Sequence, residues 1–151
     1  LALQKYWFEK QIELAIKFKL PLSIHTRNAS VQTFEILRSY KKYGLNGVIH
    51  CFGEDYEWAK KWLSLGFYLG INGLITYPRN EHVRKAVKSI GPEYIFYETD
   101  SPFLPIQKNR GSINTPEAIP EINDFIANIL NMDRAKLAKI VFDNTKFFFK
   151  I

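Results

Sequence analysis

The sequence predicts an α/β fold: the C-terminal half of a (β/α)8, or TIM, barrel, with four parallel strands, covering helices and two C-terminal helices. Three observations predict it. Four short, apolar, β-branched runs each follow a stretch of helical periodicity, and their polar tips fall near residues 25, 50, 72 and 100, one βα unit apart. No glycine-rich phosphate loop follows any of these runs, as it would in a nucleotide-binding open sheet. Two histidines and an aspartate stand at strand tips, the rim on which barrel active sites are built.

The elements follow in order. By Gln4 the chain is already inside a helical pattern. From Leu3 to Lys19, the apolar residues Trp7, Phe8, Ile12, Ala15 and Ile16 recur at helical spacing. Leu20-Pro21 stops that helix, because proline disfavours helical backbone in the residue before it. Leu22 to His25 is the first strand. Ser30 reads as the N-cap of a helix carrying Val31, Phe34, Leu37 and Tyr40, which Gly44 ends. Gly47 to Phe52 is the second strand. Glu54 and Asp55 suit the positive end of a helix with Ala59, Trp62 and Leu63 inside, closed by Gly66.

Phe67 to Ile71 is the third strand and runs into Asn72-Gly73. After Pro78, Asn80 opens a helix with Val83, Ala86, Val87 and Ile90 inside, ended by Gly91-Pro92. Tyr94 to Asp100 is the fourth strand, followed by a Pro-, Gly- and polar-rich loop from Ser101 to Asn114. Thr115-Pro116 reads as N-cap and first position of a helix to about Asn131. Asp133 caps the last helix, whose apolar face includes Leu137, Val141 and Phe142. No linker or low-complexity tract divides residues 1–151. A whole barrel takes ~250 residues. The expectation is therefore the C-terminal portion of a single barrel domain, with the N-terminal strands absent.

Composition narrows the function. At 151 residues and 46% hydrophobic, the chain can bury a proper core. It has no apolar run of roughly 18 residues and no signal-peptide pattern, so no membrane role is expected. One cysteine, Cys51, excludes an intrachain disulfide and fits a reducing, cytoplasmic compartment. The net charge of +6 suits a polyanionic partner, but the lysines are scattered over helix faces and read first as a solvated surface.

Chemistry concentrates at the strand tips. A lone His25 would read as a strand-end histidine held by hydrogen bonds. His50 changes that reading by repeating the arrangement one βα unit later. Strand alternation puts Glu98 and Asp100 on one face, with Asp100 outermost. Asp100 could also be a turn-former before Pro102. Glu98 lies a pleat below the rim and must be paired, so it reads as a group supporting a ligand rather than as a ligand. Arg27, beyond the first tip, could grip a phosphate or bridge to a neighbouring loop. Alternation turns Cys51 away from this face as a small apolar residue, and His82, between Glu81 and Val83 on a helix, is given no role. Two imidazoles and a carboxylate from separate strands can hold a divalent ion with positions left open. A hydrolytic site with paired ions needs more ligands than this chain offers.

Five ordered blocks carry a resemblance. They are Leu20-Pro21-Leu22-Ser23-Ile24-His25-Thr26-Arg27-Asn28-Ala29, Gly47-Val48-Ile49-His50-Cys51-Phe52, Gly66 to Gly73, Glu98-Thr99-Asp100-Ser101-Pro102, and Arg110-Gly111 with Asn114-Thr115-Pro116. Over nearly its whole length the chain resembles the C-terminal part of the TatD-type metal-dependent deoxyribonucleases, within the amidohydrolase-like barrels. The resemblance implies metal ligation by His25, His50 and Asp100, with Asp100 also orienting or deprotonating the attacking water. It implies hydrolysis of phosphodiester bonds in DNA with a divalent metal, Mg2+ first, Zn2+ or Mn2+ as alternatives.

The chain also departs from the family pattern. The N-terminal His-x-His pair and an intermediate glutamate have no counterpart. Val31 stands where an acidic residue is usual, Gly53-Glu54 replaces Ser-Gly, and Gly91 replaces a proline. The expected partner is DNA, alongside the missing half of the barrel, and no obligate protein partner is inferred. As a fragment the chain is expected to be inactive. Two other readings stay open at this point: a barrel acting on a non-nucleic-acid ester or amide, and a non-catalytic relic with at most weak nucleic-acid binding.

Overall fold

The computed structural model describes residues 2–151. Four strands form one parallel sheet in chain order: β1 (Leu22–His25), β2 (Gly47–His50), β3 (Phe67–Ile71) and β4 (Ile95–Tyr97). Helix α1 (Ala2–Phe18) precedes β1, while α2 (Ser30–Ser39), α3 (Tyr56–Ser64) and α4 (Glu81–Ile90) join successive strands. Helices α5 (Ile119–Leu130) and α6 (Arg134–Phe149) follow β4. Each crossover carries a helix because parallel neighbours cannot be joined by a tight turn. Among the described residues no helix is long and apolar enough to cross a membrane.

The register fixes what faces what. Leu22 pairs with Gly47 and His25 with His50; Val48 pairs with Tyr68, and Gly70 with Phe96. Alternation then separates two faces. Ile24, Ile49, Leu69, Ile71 and Ile95 are all buried against the helices, in a core with Trp62, Leu37, Ile122, Ile126 and Leu137. On the opposite face Val48, Tyr68 and Phe96 lie toward the N-terminal end of the sheet, and Phe148 of α6 packs on them. Tyr68 and Phe96 stack with ring centroids 4.6 Å apart, and Phe148 sits 5.0 Å from Phe96. That face carries His25, His50 and Glu98 toward the C-terminal end. It is aromatic below and polar above.

Several local expectations are corrected. Ser30 is the first helical residue of α2, the cap position is Ala29, and no side chain caps there. That helix stops at Ser39; a separate 3-10 turn, Lys41–Tyr43, runs to Gly44, whose φ of 70° needs a residue tolerant of left-handed backbone. The second strand ends at His50 and the fourth at Tyr97, both earlier than alternating apolar character suggests. Cys51, at the tip of the second strand, and Asp100, three residues past the fourth, each adopt positive φ, 53° and 59°, which takes both out of the pleat. Thr115 does not cap α5, which is preceded by a 3-10 turn, Pro116–Ala118. Trp7, Val31 and Phe142 are exposed rather than packed. Asp55 and Asp133 do cap: their carboxylates accept from Trp58 N–H at 3.1 Å and Lys136 N–H at 2.8 Å.

Candidate metal and active site

The C-terminal ends of the strands bring four of the five expected residues together. His50 is the hub. Its Nδ1 lies 2.9 Å from Glu98 Oε2 and its Nε2 lies 3.2 Å from Asp100 Oδ1. Both ring nitrogens thus face carboxylates, which only accept; of the two contacts the shorter one, to Glu98, has hydrogen-bond geometry, and the proton is assigned to Nδ1 on that ground. His25, directly opposite His50 in register, has its ring centroid 5.6 Å from that of His50. The polar group is partly sheltered: side-chain exposures are 25% for His50, 19% for Glu98 and 34% for Asp100.

Glu98 is held from several sides. Besides His50, Oε1 accepts from the backbone N–H of Cys51 at 2.6 Å and faces Asn72 Nδ2 at 3.4 Å. Its own N–H donates to Ile71 O at 3.1 Å, so it still follows β3 although the regular strand has ended. Asp100 reaches His50 by a different route from simple alternation. Its left-handed backbone starts a turn in which its carbonyl accepts from Phe103 N–H at 2.8 Å, and the side chain is thereby aimed at Nε2. Asp100 thus forms the turn and also places its carboxylate beside His50. Asn114 secures the loop: its buried Nδ2 donates to Thr99 O and Phe103 O, each at 2.7 Å.

Cys51 is not turned away. With the strand finished at His50, its left-handed backbone puts Sγ 3.1 Å from Asn72 Nδ2, beside Glu98. Burial pushes its thiol up; the Asn72 bond opposes this, and the Glu98 and Asp100 charges reinforce it. The thiol is therefore a poor nucleophile and a poor ligand at neutral pH. Arg27 lies apart from the histidine cluster. It is exposed and makes none of the ion pairs found among the described residues. It lines a groove of ≈ 540 Å³ with Cys51, Glu54 and Trp58. Glu54 is occupied there, accepting from Trp62 Nε1–H at 2.9 Å. His82 donates from Nε2 to Gly53 O at 2.9 Å, tying α4 to the loop after β2.

Asn72 escaped the sequence reading. It is buried, its Oδ1 accepts from Leu74 N–H at 3.0 Å, and its amide contacts Cys51 and Glu98. Its position at the third strand tip was the one signal, and an asparagine before glycine reads first as a turn.

Among the described residues no three His, Cys, Asp or Glu side chains are disposed to enclose an ion on their own. The donor chemistry nevertheless fits one. Two ligands about 2.1 Å from a common ion stand about 3.0–3.4 Å apart at right to tetrahedral angles. The His50–Asp100 separation of 3.2 Å falls inside that span. Two imidazoles on one ion hold their centroids about 4.5–6.5 Å apart, which admits His25 as the neighbour of His50.

Residues 1–150 match the family described as TatD related DNase. The chain belongs to that family. Over 141 residues it is 34% identical to an uncharacterized metal-dependent hydrolase, YcfH, of Escherichia coli strain K12, covering 93% of this chain and 53% of that one. A second such protein, YabD of Bacillus subtilis, is 32% identical over 149 residues, covering 99% of this chain and 58% of YabD. The TatD family chain thus spans about half the length of the curated relatives it matches. In structure it resembles YjjV, a TatD homologue from Escherichia coli, with a TM-score of 0.91 at 24% identity, covering 98% of this chain and 57% of the other. An amidohydrolase from Saccharomyces cerevisiae gives 0.83 at 18% identity, covering 97% and 59%. These two likenesses establish the fold.

Proposed function

We propose that this TatD family chain is the C-terminal half of a (β/α)8 barrel, and that the intact barrel is a divalent-metal-dependent hydrolase cleaving phosphodiester bonds in DNA. One observation carries the reading. His50 stands between two carboxylates at the C-terminal end of a parallel sheet, one fixing its proton on Nδ1 and the other sharing the space in front of Nε2. The names of the curated relatives, uncharacterized metal-dependent hydrolases, support the metal-dependent hydrolase part of it.

In this reading His25, His50 and Asp100 are ligands, with further ones supplied by strands outside this chain. Mg2+ is the first choice of ion, Mn2+ and Zn2+ the alternatives. Such an ion supplies Lewis acidity and an activated water for attack on phosphorus. Glu98 holds the His50 ring so that the lone pair of Nε2 faces the site. Asp100, a third of whose side chain is open to solvent, orients the water and receives its proton. Arg27, free at the rim of its groove, holds a non-reacting phosphate of the strand through its paired N–H donors. The lone Cys51 suits a cytoplasmic setting.

The test is cleavage of single- and double-stranded DNA by the intact protein with Mg2+, beside His50→Ala and Asp100→Asn. Both variants should lose metal binding and cleavage together. If His50→Ala keeps both, the assignment is wrong.

A further inference from the structure

His50 lies on β2 and Glu98 just past β4, so β3 runs between them. Adjacent strands lie about 4.8 Å apart, so the carboxylate must pass over the middle strand to reach the ring. The residue it passes over is Gly70, on the same face of the sheet. A Cβ built on Gly70 would run into Glu98 Oε2 and would stand 2.7 Å from its Cδ and 3.1 Å from Oε1. All three of the nearest atoms belong to that one carboxylate.

The backbone does not ask for glycine at this position. Gly70 lies outside the left-handed region that Gly44, Gly66, Gly91 and Gly111 occupy. It also sits inside a strand and keeps its ladder partners, with Gly70 O accepting from Phe52 N–H at 2.9 Å. A glycine in a strand interior is unfavourable for stability, and one without a conformational reason marks a close approach. Here the approaching group is the Glu98 carboxylate.

We propose that Gly70 is a positioning residue for the metal site: its missing side chain is the gap through which Glu98 crosses β3 to hold Nδ1 of His50 and the Cys51 N–H. The proposal rests on the metal-site reading above for its consequence, but its geometry stands without it. In register, Gly70 stands between His50 and Phe96, and its missing side chain leaves the space into which Glu98, two residues beyond Phe96, reaches back toward His50. A residue of any size at 70 would push the carboxylate off His50 and free the ring to turn or exchange tautomer.

The experiment is a double-mutant cycle on the intact protein with Gly70→Ala, Glu98→Ala and the two combined. It is read in two ways. With metal removed, the His50 Nδ1–H proton resonance reports the bond to Glu98. With Mn2+ added, calorimetry reports affinity. Gly70→Ala should erase the Nδ1–H signal as Glu98→Ala does, and weaken Mn2+ binding by about 10–100-fold. In the Glu98→Ala background the same substitution should change neither readout further, and the double variant should melt no lower than Glu98→Ala alone.

A Gly70→Ala protein that keeps the signal and the affinity overturns the proposal. So does one whose damage is equally large without Glu98, because position 70 would then be clashing with something else. Should Gly70→Ala alone fail to fold, a folded double variant supports the proposal and an unfolded one overturns it. If the unaltered protein binds no Mn2+, the metal-site reading fails, and the Nδ1–H signal still decides the role of Gly70.

Discussion

Replacing Glu98 by Gln tests the site with the smallest change of shape. The carboxylate serves two donors at once: His50 Nδ1–H at 2.9 Å and Cys51 N–H at 2.6 Å. A glutamine has one accepting oxygen and one amide NH2, so it can satisfy only one of them. With its oxygen on Cys51, its NH2 faces Nδ1 and forces the proton to Nε2. The lone pair in front of Asp100 is then lost. With its oxygen on His50, the NH2 opposes the Cys51 N–H and leaves that half-buried donor unpaired. The first arrangement keeps both hydrogen bonds but gives up the Nε2 lone pair and the carboxylate's charge; the second leaves a donor unpaired, at about 1–3 kcal/mol. Loss of a carboxylate supporting a metal-binding histidine lowers metal affinity by about 10–100-fold. Calorimetric titration with Mn2+, together with thermal unfolding of the metal-free protein, measures both effects. Wild-type affinity and an unshifted melting temperature in Glu98→Gln would refute the role given to Glu98.

Three more outcomes are expected. Asn114→Ala removes the amide that bonds Thr99 O and Phe103 O, and should cost about 1–3 kcal/mol in denaturant unfolding while weakening metal binding through a loosened Asp100. Burial, and then the Asp124 carboxylate, push the Tyr97 phenol above its ordinary value of 10.0. The folded state therefore holds that proton more tightly than the unfolded one. Its contribution is complete below about pH 10 and is lost as pH rises further. Tyr97→Phe should unfold less steeply with alkali, while losing about 1 kcal/mol at neutral pH with the bond from Tyr97 O–H to Asn123 Oδ1. Finally, β1 and β4 each present an unpaired edge in this sheet of four, so the 151-residue polypeptide expressed alone should associate in size-exclusion chromatography. A sharp monomer peak with cooperative melting would count against this.

The sequence by itself determined the order of helices and strands, the parallel sheet, the strand tips at His25 and His50, and the placing of Asp100 just beyond the fourth strand. Those features follow from short-range rules: apolar periodicity, proline and glycine at the stops, and a strand's alternation. Family membership was legible too, because ordered blocks such as Leu20 to Ala29 and Glu98 to Pro102 are linear patterns.

Tertiary structure decided the rest. Alternation carried beyond His50 pointed Cys51 the wrong way, because β2 ends where Cys51 takes positive φ, and Asp100 takes positive φ in the turn that follows β4. The pairing of Glu98 with His50, the buried amide of Asn72 and the gap at Gly70 join three different strands. Their spacing along the chain says nothing of that meeting. It is set by strand order and register, which long-range packing alone fixes.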